Sequence, residues 1–353
     1  MNLEQNKFHK NFKLNSNSFA SVDELQAFTR IFSDEIHQFL ESWFSDDDAI
    51  IVNTSGSTGK PKPISLKKEF VINSAKATGL YFDLQANTTA LLCLPTAYIA
   101  GKLMLIRALT LGWHLDVVDP NSNPLETIDK KYDFSAMVPL QVENSLSKLN
   151  LIQKLIVGGG VVSNSLQEKL QEISTEVFAT YGMTETITHI AVKKLNNFRD
   201  SKKAYRDEFY QTLPNVTIYI DERNCLVIAA PKVSEKLVVT NDVVNLISDV
   251  QFEWLGRFDN VINSGGIKLH PEKIEEKLSK IITNRFFVAG IPDEKLGEKL
   301  VLMVEGNQQE INIDLAQFSK FEIPKEIYFL NNFVETESAK IQRKKTVAKI
   351  FTK

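Results

Sequence analysis

Short apolar runs alternate with helical patterns through the first two-thirds of this 353-residue chain. The apolar runs, which predict strands, cover residues 49–52, 90–94, 113–118, 134–138, 154–157 and 176–178. The patterns that lie between them and predict helices cover residues 67–80, 99–111, 140–149 and 165–173. Strands that alternate with helices favour βαβ units and a mainly parallel sheet, whose functional loops follow the carboxyl ends of the strands.

The pattern changes after about residue 215. Residues 216–220 and 225–229 predict a β-hairpin, and residues 236–240 predict a third antiparallel strand. Beyond Gly256 the sequence returns to a compact α+β pattern, with a helix over 271–282 and a strand over 286–291. We therefore predict an α/β protein with a large N-terminal domain (residues 1–256) of mainly parallel sheet flanked by helices plus a small β piece. A small, mobile α+β C-terminal domain follows (residues 257–353).

Composition excludes several classes of partner. A hydrophobic content of 43% and a charged content of 24% are typical of soluble globular proteins. The net charge of −3 provides no general attraction to nucleic acid or to anionic membranes, so any phosphate binding must be local. No apolar run approaches the roughly 18 residues of a membrane span, and residues 1–7 lack the apolar region of a signal peptide. Cys93 and Cys225 lie in apolar stretches and indicate buried thiols in a reducing cytoplasm.

A loop rich in hydroxyls and glycine follows the first apolar run. Its residues are Thr54, Ser55, Gly56, Ser57, Thr58, Gly59 and Lys60. Backbone N–H groups, hydroxyls and an ammonium gathered at one concave spot suit a polyphosphate. The loop is not a Walker A motif, because Thr54 and Pro61 stand where that motif needs a Gly and a Ser or Thr. A flexible surface turn is the alternative interpretation, since Gly, Ser and Pro cluster in loops.

Two further segments combine groups that suit a nucleotide. Tyr181, Gly182, Thr184 and Glu185 follow an apolar strand and provide an aromatic face, a close approach, a hydroxyl and a carboxylate. The aromatic ring can stack on adenine, and the glycine lets the ligand come close to the backbone. The hydroxyl can donate to a phosphate, and the carboxylate can hold Mg²⁺. The alternative is a capped helix start with a glutamate in its first turn. Gly158, Gly159 and Gly160 also follow a strand and let the backbone approach a flat ligand.

These segments, in this order, resemble the adenylate-forming superfamily of acyl-CoA synthetases. The resemblance implies that the Thr54–Lys60 loop, Gly158–Gly160, Tyr181 and Gly182 bind ATP, that Thr184 contacts phosphate and that Glu185 holds Mg²⁺. It also implies that the Asp242 carboxylate binds the ribose hydroxyls and that Arg257 lies beside the ribose. Asn241 stands where the family has a glycine, but Asn tolerates the left-handed backbone of such a turn.

The segment from Gly256 to Glu275 resembles the junction between the two domains of that superfamily. The resemblance implies that Asp259 is a hinge and that Ser264, Gly265, Gly266 and Lys268 line the coenzyme A channel. Near the end of the chain, Lys340 matches the catalytic lysine, whose ammonium would stabilise charge in the adenylation transition state. Ala339 and Val334 replace a glycine and a proline of that motif.

Residues 94–102, 157–163, 185–191 and 263–271 are similar to the short o-succinylbenzoate–CoA ligases of menaquinone biosynthesis. This likeness implies ATP and coenzyme A as co-substrates, Mg²⁺ as a cofactor, and a flat aromatic acid with a second carboxylate as the substrate. Tyr98, Lys102 and His189 are candidate contacts to that acid, although His189 could equally be a hydrogen-bonded core histidine. Only 53 residues precede Thr54, fewer than in full-length relatives, so part of the acyl-pocket wall is expected to be absent or supplied differently.

Three functions remain open on the sequence alone. The first is an o-succinylbenzoate–CoA ligase, and the second is an adenylating enzyme for another aryl or fatty acid with coenzyme A or a carrier protein as acceptor. The third is a nucleotide-binding protein without catalysis, against which the presence of Glu185, Asp242, Arg257 and Lys340 argues. The expected partners are a small carboxylic acid and coenzyme A, with a homodimer possible and no nucleic acid.

Overall fold

The computed structural model describes residues 7–53, 63–197, 209–308, 311, 318–336 and 341–351. The predicted phosphate loop, Thr54–Lys60, and the predicted catalytic Lys340 lie outside the described residues. The helices are α1 (Val22–Phe32), α2 (Asp34–Phe44), α3 (Lys68–Phe82), α4 (Ile99–Leu111), α5 (Pro139–Asn144), α6 (Asn164–Leu170), α7 (Pro271–Leu278) and α8 (Arg343–Phe351). Short 3₁₀ turns cover Leu146–Leu151, Thr184–Thr186 and Phe258–Asn260.

Twenty strands are described. They are β1 (Lys13–Leu14), β2 (Asn17–Ser18), β3 (Ala49–Asn53), β4 (Pro63–Lys67), β5 (Thr89–Leu92), β6 (His114–Val117), β7 (Tyr132–Met137), β8 (Ile152–Val157), β9 (Glu176–Gly182), β10 (His189–Lys194), β11 (Tyr210–Thr212), β12 (Thr217–Ile220), β13 (Cys225–Ala229), β14 (Val238–Ser248), β15 (Gln251–Arg257), β16 (Ile262–Ser264), β17 (Ile267–Leu269), β18 (Phe286–Asp293), β19 (Gly297–Glu305) and β20 (Glu326–Leu330).

Thirteen of these strands form one sheet in the order β12-β13-β14-β15-β11-β10-β9-β8-β7-β5-β6-β1-β2. The strands from β9 to β1 in this order pair in parallel, and those from β10 to β12 pair antiparallel. Helices cover both faces of the parallel part, so its strands are buried on both sides. On β8, for example, Ile156 belongs to one core, whereas Leu155 and Val157 belong to the other. The predicted α/β class is confirmed.

The strand at Ala49–Asn53 corrects one expectation. We expected it to contribute to the parallel sheet, but it pairs antiparallel with Pro63–Lys67 in a separate two-stranded sheet. Ile50 and Val52 are buried while Ile51 between them is exposed. This one-sided alternation suits a hairpin that lies on the surface of the core, because a strand inside the parallel sheet would be buried on both faces.

A second sheet begins after the turn Phe258–Asn260, with the order β17-β16-β19-β18 and β20 paired with β19. Helix α7 packs back against the large sheet, where Lys273 forms an ion pair with Glu253 of β15 at 2.7 Å. The side chain of Asn164 donates to the Glu276 carbonyl at 2.6 Å. Cys93 and Cys225 are both buried free thiols, as expected. Among the described helices, none combines the length and the apolar character needed to cross a membrane.

Candidate active site

Two glycine-containing segments meet at the carboxyl edge of the parallel sheet. Strands β8 and β9 are parallel neighbours, with Val157 opposite Ala179, so the loop Gly158–Gly160 lies beside the end of β9. A Cβ on Gly158 would approach the Thr180 hydroxyl oxygen to 2.6 Å. The two predicted nucleotide-binding segments therefore share one edge of the sheet, where ligands bind in open α/β folds.

The backbone around Gly182 is tightly packed. Gly182 pairs with His189 of β10, and a Cβ on it would lie 2.2 Å from the Thr188 carbonyl oxygen and 2.4 Å from His189 Cα. Between these two strands, Ile187 has φ +66, which is strained for a β-branched residue. Such strain is characteristic of functional turns, and here it follows directly after Thr184–Thr186.

Asp242 is the centre of a hydrogen-bonded cluster at the same edge. Asp242 is 8% exposed, and its carboxylate accepts from the Tyr181 hydroxyl at 2.7 Å and from Trp254 Nε1 at 3.2 Å. Arg257 stands opposite Asp242 in the β14–β15 ladder, with Nε 3.8 Å from the carboxylate. Burial first, and then the charge of Asp242, raises the pKa of Tyr181, so its hydroxyl stays a donor. The structure thus brings together the predicted residues Tyr181, Asp242 and Arg257. The sequence analysis missed Trp254, because its proximity to Asp242 follows only from the tertiary structure.

Thr184 and Glu185 face outward on the 3₁₀ turn beside this cluster. Thr184 is half-buried and Glu185 is exposed. Within the described ranges, no group of three or more His, Cys, Asp or Glu side chains could hold a metal by itself. One carboxylate is nevertheless the donor set expected for Mg²⁺ that is bound mainly by phosphates and water. The residues present fit a magnesium–nucleotide complex better than a resident metal ion.

The candidate acid-binding residues lie at two places. Tyr98, 62% exposed, and Lys102 lie at the amino end of α4, and Lys102 Nζ donates to the Ala97 carbonyl at 3.1 Å. His189 is instead buried, with Nε2 3.5 Å from Thr78 Oγ1 on α3, and it lines a cavity of about 200 Å³ between α3 and β10. Burial, and then the charge of Arg107, lowers the pKa of His189, which is therefore neutral at pH 7.

Arg107 of α4 is a functional candidate that the sequence analysis missed. It is 3% exposed, its Nε has no hydrogen-bond partner in the described part of the chain, and no described carboxylate forms an ion pair with it. Burial lowers the pKa of Arg107 to about 10, so the guanidinium still carries its charge at neutral pH. A sequence signal existed, because Arg107 is the only charged residue between Leu103 and Leu111.

The second sheet contributes a loop and a cleft. Ser264, Gly265, Gly266 and Lys268 form the β16–β17 hairpin, in which both glycines have positive φ. Lys268 lines a cleft of about 460 Å³ together with Leu246, Leu255 and Phe258. Asp259 lies in the exposed turn between the two sheets, where it accepts from Asn241 Nδ2 at 3.2 Å. No substrate contact of these residues is tested by the structure, and their roles stay predictions.

A family model described as AMP-binding enzyme matches residues 4–234. The chain belongs to the AMP-binding enzyme family. The predicted likeness to adenylate-forming enzymes is therefore confirmed. A solved acyl-CoA synthetase (AMP-forming)/AMP-acid ligase II-like protein from Dyadobacter fermentans is 37% identical, with a TM-score of 0.60 over 90% of this chain and 93% of its own.

Other relatives of this AMP-binding enzyme carry a more specific name. A 2-succinylbenzoate–CoA ligase from Lactococcus lactis subsp. lactis is 27% identical over 86% of this chain and 72% of the relative. The O-succinylbenzoate coenzyme A synthetase from Bacillus subtilis, solved with ATP and magnesium, is 20% identical and has a TM-score of 0.71 over 84% of this chain and 69% of its own. At that identity, the second likeness supports the fold alone.

Proposed function

We propose that this AMP-binding enzyme is an ATP-dependent acid–CoA ligase whose acid is o-succinylbenzoate. A carboxylate oxygen of the acid attacks the α-phosphorus of ATP, the bond to pyrophosphate breaks, and an acyl-AMP forms. The thiol of coenzyme A then attacks the acyl carbon, its proton is lost, and AMP leaves. The name of the Lactococcus relative supports this choice of acid and of acceptor.

The observation that carries the proposal is the buried charge of Arg107. A buried charge without a partner of opposite charge lowers the stability of the fold by several kcal/mol. A buried guanidinium without a carboxylate partner is therefore suited to bind an anionic ligand. His189 lies close enough to experience that charge, and both lie on the side of the sheet that α3 and α4 cover. An acid with one carboxylate to activate and a second to anchor fits this arrangement, whereas a fatty acid leaves Arg107 unpaired.

The other roles follow from the family resemblance and are part of the proposal. Thr54–Lys60, Gly158–Gly160 and Thr184 would bind the phosphates and adenine, while Asp242 and Arg257 would hold the ribose. Glu185 would hold Mg²⁺, which supplies charge neutralisation for the phosphates. Lys340 would stabilise the adenylation transition state from a C-terminal domain of residues 257–353, and the hairpin Ser264–Lys268 would admit coenzyme A. The N-terminal domain would comprise residues 1–256.

Acid-dependent ATP–pyrophosphate exchange tests the choice of acid. We expect o-succinylbenzoate to be preferred by about 100-fold in kcat/KM over 4-oxo-4-phenylbutanoate, which lacks the ring carboxylate, because a charged hydrogen bond contributes about 1.5–3 kcal/mol. Arg107→Gln should remove this preference mainly by lowering activity with the diacid. A better rate with fatty acids, or no exchange with any acid, would contradict the proposal, and thioester formation with coenzyme A identifies the acceptor.

A further inference from the structure

Helix α2 contacts the segment that carries the candidate acid-binding residues. Glu35, in the first turn of α2, accepts a hydrogen bond from the Thr96 hydroxyl in the turn after β5. Thr96 is 4% exposed, whereas Glu35 is itself exposed, so the bond joins a buried hydroxyl to a carboxylate at the surface. A charge-assisted bond is roughly twice as strong as a neutral one, and this bond joins α2 to the turn.

Phe39 makes the second contact between the same two elements. It lies four residues after Glu35, on the same face of α2, and its ring centroid is 5.4 Å from Lys102 Nζ. The Lys102 ammonium also donates to the Ala97 carbonyl at 3.1 Å. Burial lowers the pKa of Lys102, while the charge of Glu35 opposes that change. Glu35 and Phe39 thus hold both ends of the segment from Thr96 to Lys102.

The segment itself has little freedom to adjust. A Cβ on Gly101 would lie 2.2 Å from the Pro95 carbonyl oxygen, so the start of α4 packs directly on the preceding turn. Tyr98 and Lys102 therefore lie on a tightly packed turn and not on a flexible loop. The contacts with α2 set the position of this turn. A displacement of α2 would move both side chains together.

We infer that Glu35 and Phe39 are positioning residues for the carboxylic acid substrate, because they hold the segment that presents Tyr98 and Lys102. This inference rests on the proposed function, and it adds a part of the chain that precedes the phosphate loop to the acid site. Among the described residues, the side-chain partners of Asp242 are Tyr181, Trp254 and Arg257, none of which lies on α2, so the two substrates should respond differently to changes in this helix.

Substitution of Glu35 separates positioning from general stability. Glu35→Ala should raise the KM for the acid about tenfold and leave the KM for ATP within about twofold, since only the acid depends on the turn. Glu35→Gln can still accept the Thr96 hydrogen bond and should recover most of the loss. Thr96→Val should reproduce the Glu35→Ala effect, and the double variant should be no worse than either single variant. Glu41→Ala, which removes an exposed carboxylate from the same helix, is the matched control.

Three outcomes would overturn the inference. They are an unchanged KM for the acid in both Glu35→Ala and Thr96→Val, an equal rise in the KM for ATP, and an equal effect of Glu41→Ala. If Glu35→Ala does not fold, Thr96→Val and Glu35→Gln carry the test. The comparison of KM values uses whichever acid supports exchange in the wild type, so a wrong acid in the proposed function is seen separately, as absent exchange with o-succinylbenzoate.

Discussion

A single carboxylate, Asp242, organises the polar side of the site. It accepts from Tyr181 and Trp254 and faces Arg257. Asp242→Asn keeps the shape but removes the charge and one acceptor, so we expect the KM for ATP to rise about 10- to 100-fold, the range of a charged hydrogen bond of 1.5–3 kcal/mol. The KM for ATP in pyrophosphate exchange at saturating acid measures this effect.

Asp133→Asn is the matched control for that substitution. Asp133 accepts from the Thr89 backbone N–H and from the Thr89 hydroxyl, both at 2.7 Å, at the amino ends of β5 and β7. Its loss should lower stability without changing the KM for ATP, because it lies at the opposite edge of the sheet. An equal rise in KM for both variants would mean that Asp242 acts only through the stability of the fold.

The pair of strands β9 and β10 depends on the absence of one side chain. Because a Cβ at Gly182 would meet backbone atoms of Thr188 and His189, Gly182→Ala must displace one of the two strands. We expect a loss of about 1–3 kcal/mol in the free energy of unfolding, the usual cost of overpacking, together with most of the activity. Thermal and urea denaturation measure the loss.

Gly160→Ala supplies the comparison at the same edge of the sheet. Its Cβ would contact Pro139 at an ordinary 3.5 Å, and Gly160 has no positive φ. The free energy of unfolding should therefore stay within about 0.5 kcal/mol of the wild type, as for other substitutions that disturb no packing. If the two alanine variants lost equal stability, close approach of β9 and β10 would not explain the glycine at position 182.

Elements that depend on local pattern were predictable, and contacts between distant elements were not. The runs at 154–157 and 176–178 lie within β8 and β9, because strands buried on both faces are continuously apolar. The hairpin of β3 with Pro63–Lys67 was missed, since a four-residue apolar run looks the same in a hairpin and in a parallel sheet. Trp254 and Arg107 were missed for a related reason. The importance of Trp254 lies in its distance to Asp242. Arg107 stands out in the sequence as an isolated charge in an apolar run, but its lack of a hydrogen-bond partner at Nε is a tertiary property.

At the scale of the whole molecule, polar contacts join the second sheet to the first near the turn that links them. Asn164 donates to the Glu276 carbonyl of α7 at 2.6 Å, and Lys273 of α7 pairs with Glu253 of β15. Lys273 lies on the same small unit as the hairpin Ser264–Lys268, which we propose faces the site only during thioester formation. Rotation about Asp259 would have to break these contacts, of which the Asn164 bond is exposed and the Lys273 ion pair is half-buried, and reform others.

Proline at position 259 tests this rotation, because it fixes φ and so restricts the turn to one orientation. We expect Asp259→Pro to slow thioester formation from pre-formed acyl-AMP at least about tenfold more than it slows pyrophosphate exchange, since the second half-reaction needs the rotated state. Asp259→Ala is the control, because it removes the contact with Asn241 but leaves φ free, and both of its half-reactions should stay near wild type. Equal losses in both half-reactions of the proline variant would indicate misfolding, and no loss in either would place the hinge at another residue.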